Sequence, residues 1–209
     1  ISERDDYFSV YLMSVTDEEE VEKIIEGQST SDFEDLNLLT PGISFSPDGK
    51  KIAFSGKSGG ADAIHIIDLE TREHETLDYR MEGIHTVSWS PTGEKIAFVG
   101  ITSRQSDIWT YDLETKEAVA YTSDQFADES PSWSADGKTI YFVSDRKQYL
   151  NSASIPEGFS IFDHDLSQRD IYSLNIDTKQ VTRLTDTPLA TEANPAAHPD
   201  GKRLMYISD

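Results

Sequence analysis

The 209-residue sequence contains no cysteine. A disulfide, a thiolate metal site and a cysteine nucleophile are therefore excluded, and the redox compartment stays open. Long apolar runs are also missing, since none approaches the roughly 20 residues that a membrane-spanning helix needs. No signal peptide is recognisable. We therefore expect no direct insertion into a membrane. Because the sequence begins with Ile1 and not with methionine, we also expect it to be part of a longer polypeptide.

Basic residues are scarce. Lysine and arginine together number 18 against 39 aspartates and glutamates, which gives a formal net charge of −21. Nucleic acids and anionic membranes would be repelled by such a surface and are excluded as partners. Two interpretations stay open: a solvated surface adapted to high salt, which we favour, and attraction for a cationic protein or peptide.

Catalytic signatures are missing as well. The five histidines show no ligand spacing, and the motif Gly-x-Ser-x-Gly of serine hydrolases does not occur. The glycine-rich run at 55–60 lacks the first glycine of a phosphate-binding loop and has no helix pattern after it. We therefore predict no catalytic residue and no cofactor, and expect that the chain is not an enzyme.

One short segment resembles the start of a calcium-binding loop. Asp163 and Asp165 place oxygens at alternate positions, but Gln168 stands where the loop needs glycine and Leu174 where it needs a bidentate glutamate. A polar surface loop is the favoured interpretation, with Asp163 and Asp165 as weak metal candidates.

What the sequence does contain is a repeated turn. Ser-Pro-Asp-Gly or a close variant precedes an apolar run four times, and proline, aspartate and glycine favour a tight hairpin turn. The four copies span residues 46–54, 90–98, 134–142 and 198–206.

The spacing of the turns locates an insertion. From Ser46 to Ser90 and from Ser90 to Ser134 the distance is 44 residues, whereas from Ser134 to His198 it is 64. A second landmark, Asp-Leu-Glu-Thr or a variant, follows the third strand of each unit. In the third unit the extra residues lie between the turn and this landmark, within residues 147–169. The segment 26–41 is also longer than its counterparts.

Each unit divides into four short strands, and a period near 44 residues is typical of a β-propeller. We predict an all-β propeller with four-stranded antiparallel blades at about residues 43–77, 87–122 and 131–185 and half-blades at 7–25 and 195–208. The half-blades either pair with each other in a four-bladed ring or belong to a larger ring of six or seven blades, which we favour. A short helix at 21–25 is an alternative to the strand predicted there.

The repeats resemble those of TolB-type β-propellers. The pattern Trp-Ser-Pro-x-Gly-x-Lys-Ile-Ala-Phe at 89–98 is followed by Ile-Trp-x-x-Asp-Leu-x-Thr at 108–115, and Leu-Thr at 184–185 precedes a proline at 195. The resemblance implies a periplasmic or otherwise extracytoplasmic location and a non-catalytic scaffold of the bacterial cell envelope that binds a protein or peptide. Similar repeats occur in tricorn-like and dipeptidyl-peptidase-like peptidases, so an accessory propeller that gates substrate entry is the alternative.

Functional residues are predicted where the chain departs from its repeat, and in loops expected to approach the channel. Phe45, Trp89 and Trp133 recur before the turns and are expected to fill gaps between blades. The partner-binding candidates are Asp32, Phe33, Glu34 and Asp35 in the long segment, Phe159 in the insertion, and Asp128, Glu129, Asp186 and Glu192 in channel-facing loops.

Overall fold

The computed structural model describes residues 9–16, 21–26, 35–36, 42–77, 79–103 and 105–209. These ranges contain seventeen β-strands and two single-turn 3-10 helices at Ser152–Ser154 and Ile161–Asp163. Neither helix is long and apolar enough to cross a membrane. The strands are β1 (Ser9–Met13), β2 (Val21–Glu26), β3 (Asp35–Leu36), β4 (Ile43–Phe45), β5 (Lys51–Ser58), β6 (Ala61–Asp68), β7 (His74–Thr76), β8 (Gly83–Trp89), β9 (Lys95–Thr102), β10 (Gln105–Asp112), β11 (Ala118–Ala120), β12 (Asp128–Trp133), β13 (Thr139–Ser144), β14 (Asp170–Asn175), β15 (Val181–Arg183), β16 (Glu192–Ala197) and β17 (Leu204–Ser208).

The strands form antiparallel sheets in chain order, as blades of a propeller do. Blade 1 contains β4 to β7, with β3 added beside β5, blade 2 contains β8 to β11, and blade 3 contains β12 to β15. The predicted all-β propeller is confirmed. Residues 21–26 are a strand and not a helix.

The two ends of the described chain form separate two-stranded sheets, β1 with β2 and β16 with β17. In the described ranges these sheets do not pair with each other, so they do not form the shared blade that a four-bladed ring would need.

The repeated turns share one geometry because glycine provides the left-handed backbone that closes each hairpin. Gly49, Gly93, Gly137 and Gly201 have φ values of 71°, 81°, 69° and 67°. In the first turn the Ser46 hydroxyl donates to the Asp48 carboxylate at 2.6 Å and accepts the Lys51 N–H at 2.9 Å. The motif therefore fixes the hairpin between the first and second strands.

The core lies between the blades. One apolar cluster joins blades 1 and 2, a second joins blades 2 and 3, and a third packs Val10 of β1 against Ile52, Phe54 and Ile67 of blade 1. Burial is greatest in the second and third strands, whereas the first strand of blade 1 is largely exposed. The first strands of blades 2 and 3 combine buried with partly buried residues, because one side of each lines the channel.

Two aromatic positions before the turns pack as predicted and one does not. Trp89 and Trp133 are 8% and 7% exposed, and the Trp133 indole N–H donates to the Ser88 carbonyl of the neighbouring blade at 3.0 Å. Phe45 is 54% exposed. The expectation for Phe45 was wrong because, in the described ranges, the sheet before blade 1 supplies only β1 and β2 and no inner strand that would cover this ring.

The antiparallel order gives the propeller two different faces. The Ser-Pro-Asp-Gly turns lie on one, which we call the turn face. The opposite face, the connector face, carries the loops between second and third strands and the connections between blades. The insertion and the starts of β8, β12 and β16 all lie on the connector face.

Candidate functional site: the channel and its connector face

The first strands of neighbouring blades line a common groove, which we call the channel wall. Its volume is about 680 Å³, within the range typical of ligand-binding clefts. The lining carries no charged side chain. It consists of Gly42, Ile43, Ser44, Thr86, Val87, Ser88, Ser130, Pro131, Ser132, Asn194, Pro195 and Ala196.

A β-bulge recurs in three of these strands. The pairing register skips two residues after His85, after Glu129 and after Ala193. The first skipped residue in each case has a left-handed backbone: φ is 42° for Thr86, 55° for Ser130 and 51° for Asn194. Bulges redirect side chains and interrupt the ladder, and here they place hydroxyl and amide groups on the channel wall at equivalent heights.

Two predicted channel carboxylates are not accessible. Asp128 is 0% and Glu192 is 1% exposed. Glu192 accepts hydrogen bonds from the hydroxyls of Thr185 and Thr187. The expectation that Asp128 and Glu192 attract a partner is therefore wrong, because both carboxylates are buried and already accept hydrogen bonds from neighbouring side chains of this chain.

Glu129 and Asp186 do face solvent. The Glu129 side chain is 42% exposed, pairs with Arg169 at 2.6 Å and lines a cavity of about 360 Å³ beside Ser130. The Asp186 side chain is 71% exposed and pairs with Arg183 at 2.8 Å. Both carboxylates lie on the connector face.

A buried ionic cluster explains where Asp128 points. The Arg146 guanidinium donates to Asp128 and, at 3.1 Å, to Asp124. Only 1% of the Arg146 side chain is exposed, and its guanidinium lies 5.5 Å from the centroid of the Phe142 ring. Asp107 completes the cluster, since one carboxylate oxygen from each of the three aspartates lies within 4.8 Å of the others.

The pKa values of this cluster follow from burial. Burial, reinforced by the charges of Asp128 and Asp124, raises the pKa of Asp107 to about 7. Burial also raises the pKa of Asp128, although Arg146 opposes that shift. Asp107 therefore exchanges a proton near neutral pH, which an exposed aspartate does not do.

This cluster was not predicted from the sequence. A possible signal was Ser144-Asp145-Arg146, in which an arginine stands two residues after the last residue of an apolar second strand. An arginine at a strand end is usually a surface residue, and only the structure shows that its partners come from two other segments.

The insertion folds over this part of the connector face. Phe159, Tyr149 and His164 pack against Phe126, with ring centroids 5.0 to 5.9 Å apart, and the Phe126 and Tyr149 rings are nearly parallel. The ring of Phe126 also lies 5.9 Å from the Arg146 guanidinium. Phe159 is thus half-buried in an aromatic cluster that holds the insertion in place.

The weak metal candidates do not come together. Asp165 accepts the Ser167 hydroxyl and backbone N–H and pairs with Lys147 at 2.9 Å. The Ser167 hydroxyl, followed by Lys147, holds the pKa of Asp165 below its usual range. Among the residues that the structure describes, neither Asp163 nor Asp165 belongs to a group with metal-ligand geometry.

The remaining candidates belong to the long acidic segment. Asp32, Phe33 and Glu34 lie outside the described residues. Asp35 begins β3, whose backbone pairs with Lys57 of β5. This pairing places β3 at the connector-face end of blade 1.

Comparison with known proteins gives one family and several similar folds. The family model of the TolB β-propeller domain matches residues 9–149. No curated protein is significantly similar in sequence.

Solved structures share the fold at low identity. TolB from Acinetobacter baumannii is 22% identical with a TM-score of 0.68, and the match covers 95% of this chain and 42% of that one. A TolB-type protein of Agrobacterium tumefaciens is 23% identical with a TM-score of 0.74, covering 95% and 62%. The tricorn protease is 17% identical with a TM-score of 0.60, covering 90% and 16%. The chain thus spans about half the length of the TolB structures that it resembles.

Proposed function

Since the chain belongs to the TolB β-propeller domain family, we propose that it is a non-catalytic propeller that binds a protein or peptide segment at the connector-face end of its channel. The proposal includes an extracytoplasmic location, as the family resemblance implies. The observation that carries it is the channel wall, in which three equivalent bulges bring Thr86, Ser130 and Asn194 to one groove.

The channel wall suits an extended backbone. Hydroxyl and amide side chains both donate and accept hydrogen bonds, and a peptide main chain needs both kinds of partner. The wall carries no charge that would have to be desolvated without a counter-charge. These properties support recognition of a polypeptide more than recognition of a small anion or a metal ion in the groove itself.

Charge around the groove favours a cationic partner. The net charge of −21 raises the rate at which a basic segment encounters the surface. Glu129 borders the channel wall at Ser130, and Asp186 lies in the connection that precedes β16. Both are exposed enough to meet a lysine or arginine of the partner.

The test uses a fluorescein-labelled 12-residue peptide of alternating arginine and serine. We expect the double variant Glu129→Gln/Asp186→Asn to weaken its binding by about threefold to tenfold, because two exposed attractive charges are removed. Fluorescence anisotropy in 50 mM and 300 mM NaCl measures the affinity, and the difference between protein variants should shrink at the higher salt concentration.

The matched control removes the same two charges from the turn face, in the variant Glu70→Gln/Glu73→Gln. Its affinity should stay within a factor of about two of the original. Equal weakening by both double variants, or by neither, would show that the connector face is not the binding site.

A second candidate function is a propeller that gates the substrate of a peptidase. The likeness to the tricorn protease, which covers 90% of this chain, favours it. The same channel would then pass a peptide along its length, and plugging it with Ser130→Trp would slow peptide hydrolysis by the full-length protein. If the protein is a docking scaffold without peptidase activity, the full-length protein will not hydrolyse the peptide, with or without Ser130→Trp.

A further inference from the structure

The cluster at Arg146 has more negative charge than its arginine balances. Three carboxylates, those of Asp107, Asp124 and Asp128, surround one guanidinium, so the fully ionised cluster has a net charge of −2. Asp107 is 3% and Asp128 is 0% exposed, and the Asp124 side chain is 6% exposed. Uncompensated charge at this depth is costly unless a cation or a proton neutralises it.

Two oxygens in the cluster are without a hydrogen-bond partner. Oδ1 of Asp107 and Oδ1 of Asp128 are both buried and unpaired, whereas Arg146 donates to the other oxygen of Asp128. Buried acceptors are nearly always satisfied in folded proteins, and an exception calls for an ion, a water or a function. Both oxygens thus keep free acceptor capacity, in a cluster that has one carboxylate oxygen of each aspartate within 4.8 Å of the others.

The other blade junctions share this arrangement only in part. At the junction of blades 1 and 2, Ala63 and Ile84 stand at the positions that Asp107 and Asp128 occupy one blade later. At the junction of blade 3 with the β16–β17 sheet, Asp170 and Glu192 stand at these positions, and Arg183 pairs with Asp170. Among the described residues, a third carboxylate close to the other two, that of Asp124, distinguishes the junction of blades 2 and 3.

We propose that Asp107, Asp124 and Asp128 form a binding site for a hard divalent cation of the Ca²⁺ class. Carboxylate oxygens are the ligands that such ions take in proteins, and Ca²⁺–oxygen distances of about 2.3–2.6 Å place the oxygens around one ion within about 5 Å of each other. The three oxygens meet that limit, since they lie within 4.8 Å. A charge of +2 brings the cluster to neutrality.

The depth of the site distinguishes an ion from a protein partner. A lysine or arginine of another molecule cannot reach Asp107 and Asp128, because both side chains are covered. A monatomic ion needs a much smaller opening than a side chain does. The bound cation would fix the loop that holds Asp124 and Phe126, and through the Phe126 ring contacts it would stabilise the insertion on the connector face.

Thermal unfolding of the EDTA-treated protein, with and without 5 mM CaCl₂, MgCl₂ or MnCl₂ in 150 mM NaCl, tests the site. We expect Ca²⁺ to raise the unfolding midpoint by roughly 5 °C or more. The variant Asp107→Asn should lose this increase. Asp107→Asn should fold, because the amide matches the carboxylate in shape and Asp107 has no ion pair in the described structure.

Glu157→Gln is the matched control, since it removes an exposed acid of the insertion on the same face, and it should keep the full Ca²⁺ response. No midpoint increase in the original protein, or the same increase in Asp107→Asn, would overturn the proposal. An independent measurement is the anomalous scattering of crystals grown with MnCl₂. A peak among the three carboxylates supports the site, and a map without one contradicts it.

Discussion

Replacing Arg146 with methionine is expected to lower the free energy of unfolding by about 3–5 kcal/mol, the usual cost of removing one partner of a buried ion pair. Methionine keeps much of the apolar contact with the ring of Phe142, but it leaves Asp124 and Asp128 facing each other without a counter-charge. Urea unfolding at pH 7.5 in EDTA, followed by tryptophan fluorescence, measures the loss.

Arg169→Met provides the comparison for Arg146→Met. Arg169 pairs with Glu129 at the surface, where the two side chains are 36% and 42% exposed, so its loss should cost less than about 1 kcal/mol. A triple variant that also carries Asp124→Asn and Asp128→Asn should recover part of the stability lost in Arg146→Met, because the unpaired charges are removed with the arginine. Equal costs for Arg146→Met and Arg169→Met would refute the view that the buried cluster organises this junction.

The second large effect expected is that Asp107→Asn stabilises the metal-free protein. In the metal-free protein Asp107 is expected to destabilise the fold at neutral and alkaline pH, because its folded-state pKa of about 7 lies above the ordinary aspartate value of about 3.9. The folded state then holds a proton that the unfolded chain has released, so the Asp107 contribution falls as pH rises from about 4 to about 7 and is constant above that. The difference between the folded-state and the ordinary pKa of Asp107 corresponds to a loss of about 4 kcal/mol in the free energy of unfolding over this pH range.

Asp107→Asn removes that pH-dependent contribution. We expect the variant to be more stable than the original by about 2–4 kcal/mol at pH 8 in EDTA, with a smaller gain at pH 5. Unfolding curves at half-unit pH intervals, with the stability of the original subtracted from that of the variant, isolate Asp107 from the other titrating groups. A difference that stays flat between pH 4 and pH 8 would show that Asp107 keeps an ordinary pKa.

The architecture could be predicted from the sequence because each unit repeats its own turn chemistry. Gly49 and Gly93 supply the same left-handed turn, and Asp68 and Asp112 accept backbone N–H bonds from residues two and three positions later in the same way. Local rules of this kind operate within a few residues, so they are visible without a structure. The insertion was found by the same measure, as an interruption of a regular spacing.

The functional residues were harder to predict because successive side chains of a β-strand point to opposite faces of the sheet. Asp128 and Glu129 are adjacent, yet Asp128 is fully buried and Glu129 is half exposed. Alternation along a strand makes such neighbours point to opposite faces, and the sequence does not say which of two acids points inward. The recurring bulges add to the difficulty, because each shifts the alternation at the position that meets the channel.

Arg146 shows a second limit. The three aspartates that surround it come from β10, from the connection after β11 and from β12. Nothing in their sequence spacing unites them, and only the packing of blade 2 against blade 3 does. Sequence patterns within one unit therefore identify the blades. Side chains that come together across the junction of two blades are recognised only when the packing of those blades is known.

Hydrogen exchange with the arginine–serine peptide bound tests the central claim, that the connector-face end of the channel is the binding surface. We expect slower amide exchange in β8, β12 and β16, centred on the bulges at Thr86, Ser130 and Asn194, with unchanged exchange in the turns at 90–95, 134–139 and 198–203. Protection confined to those turns, or no protection at peptide concentrations that saturate the anisotropy signal, would contradict it.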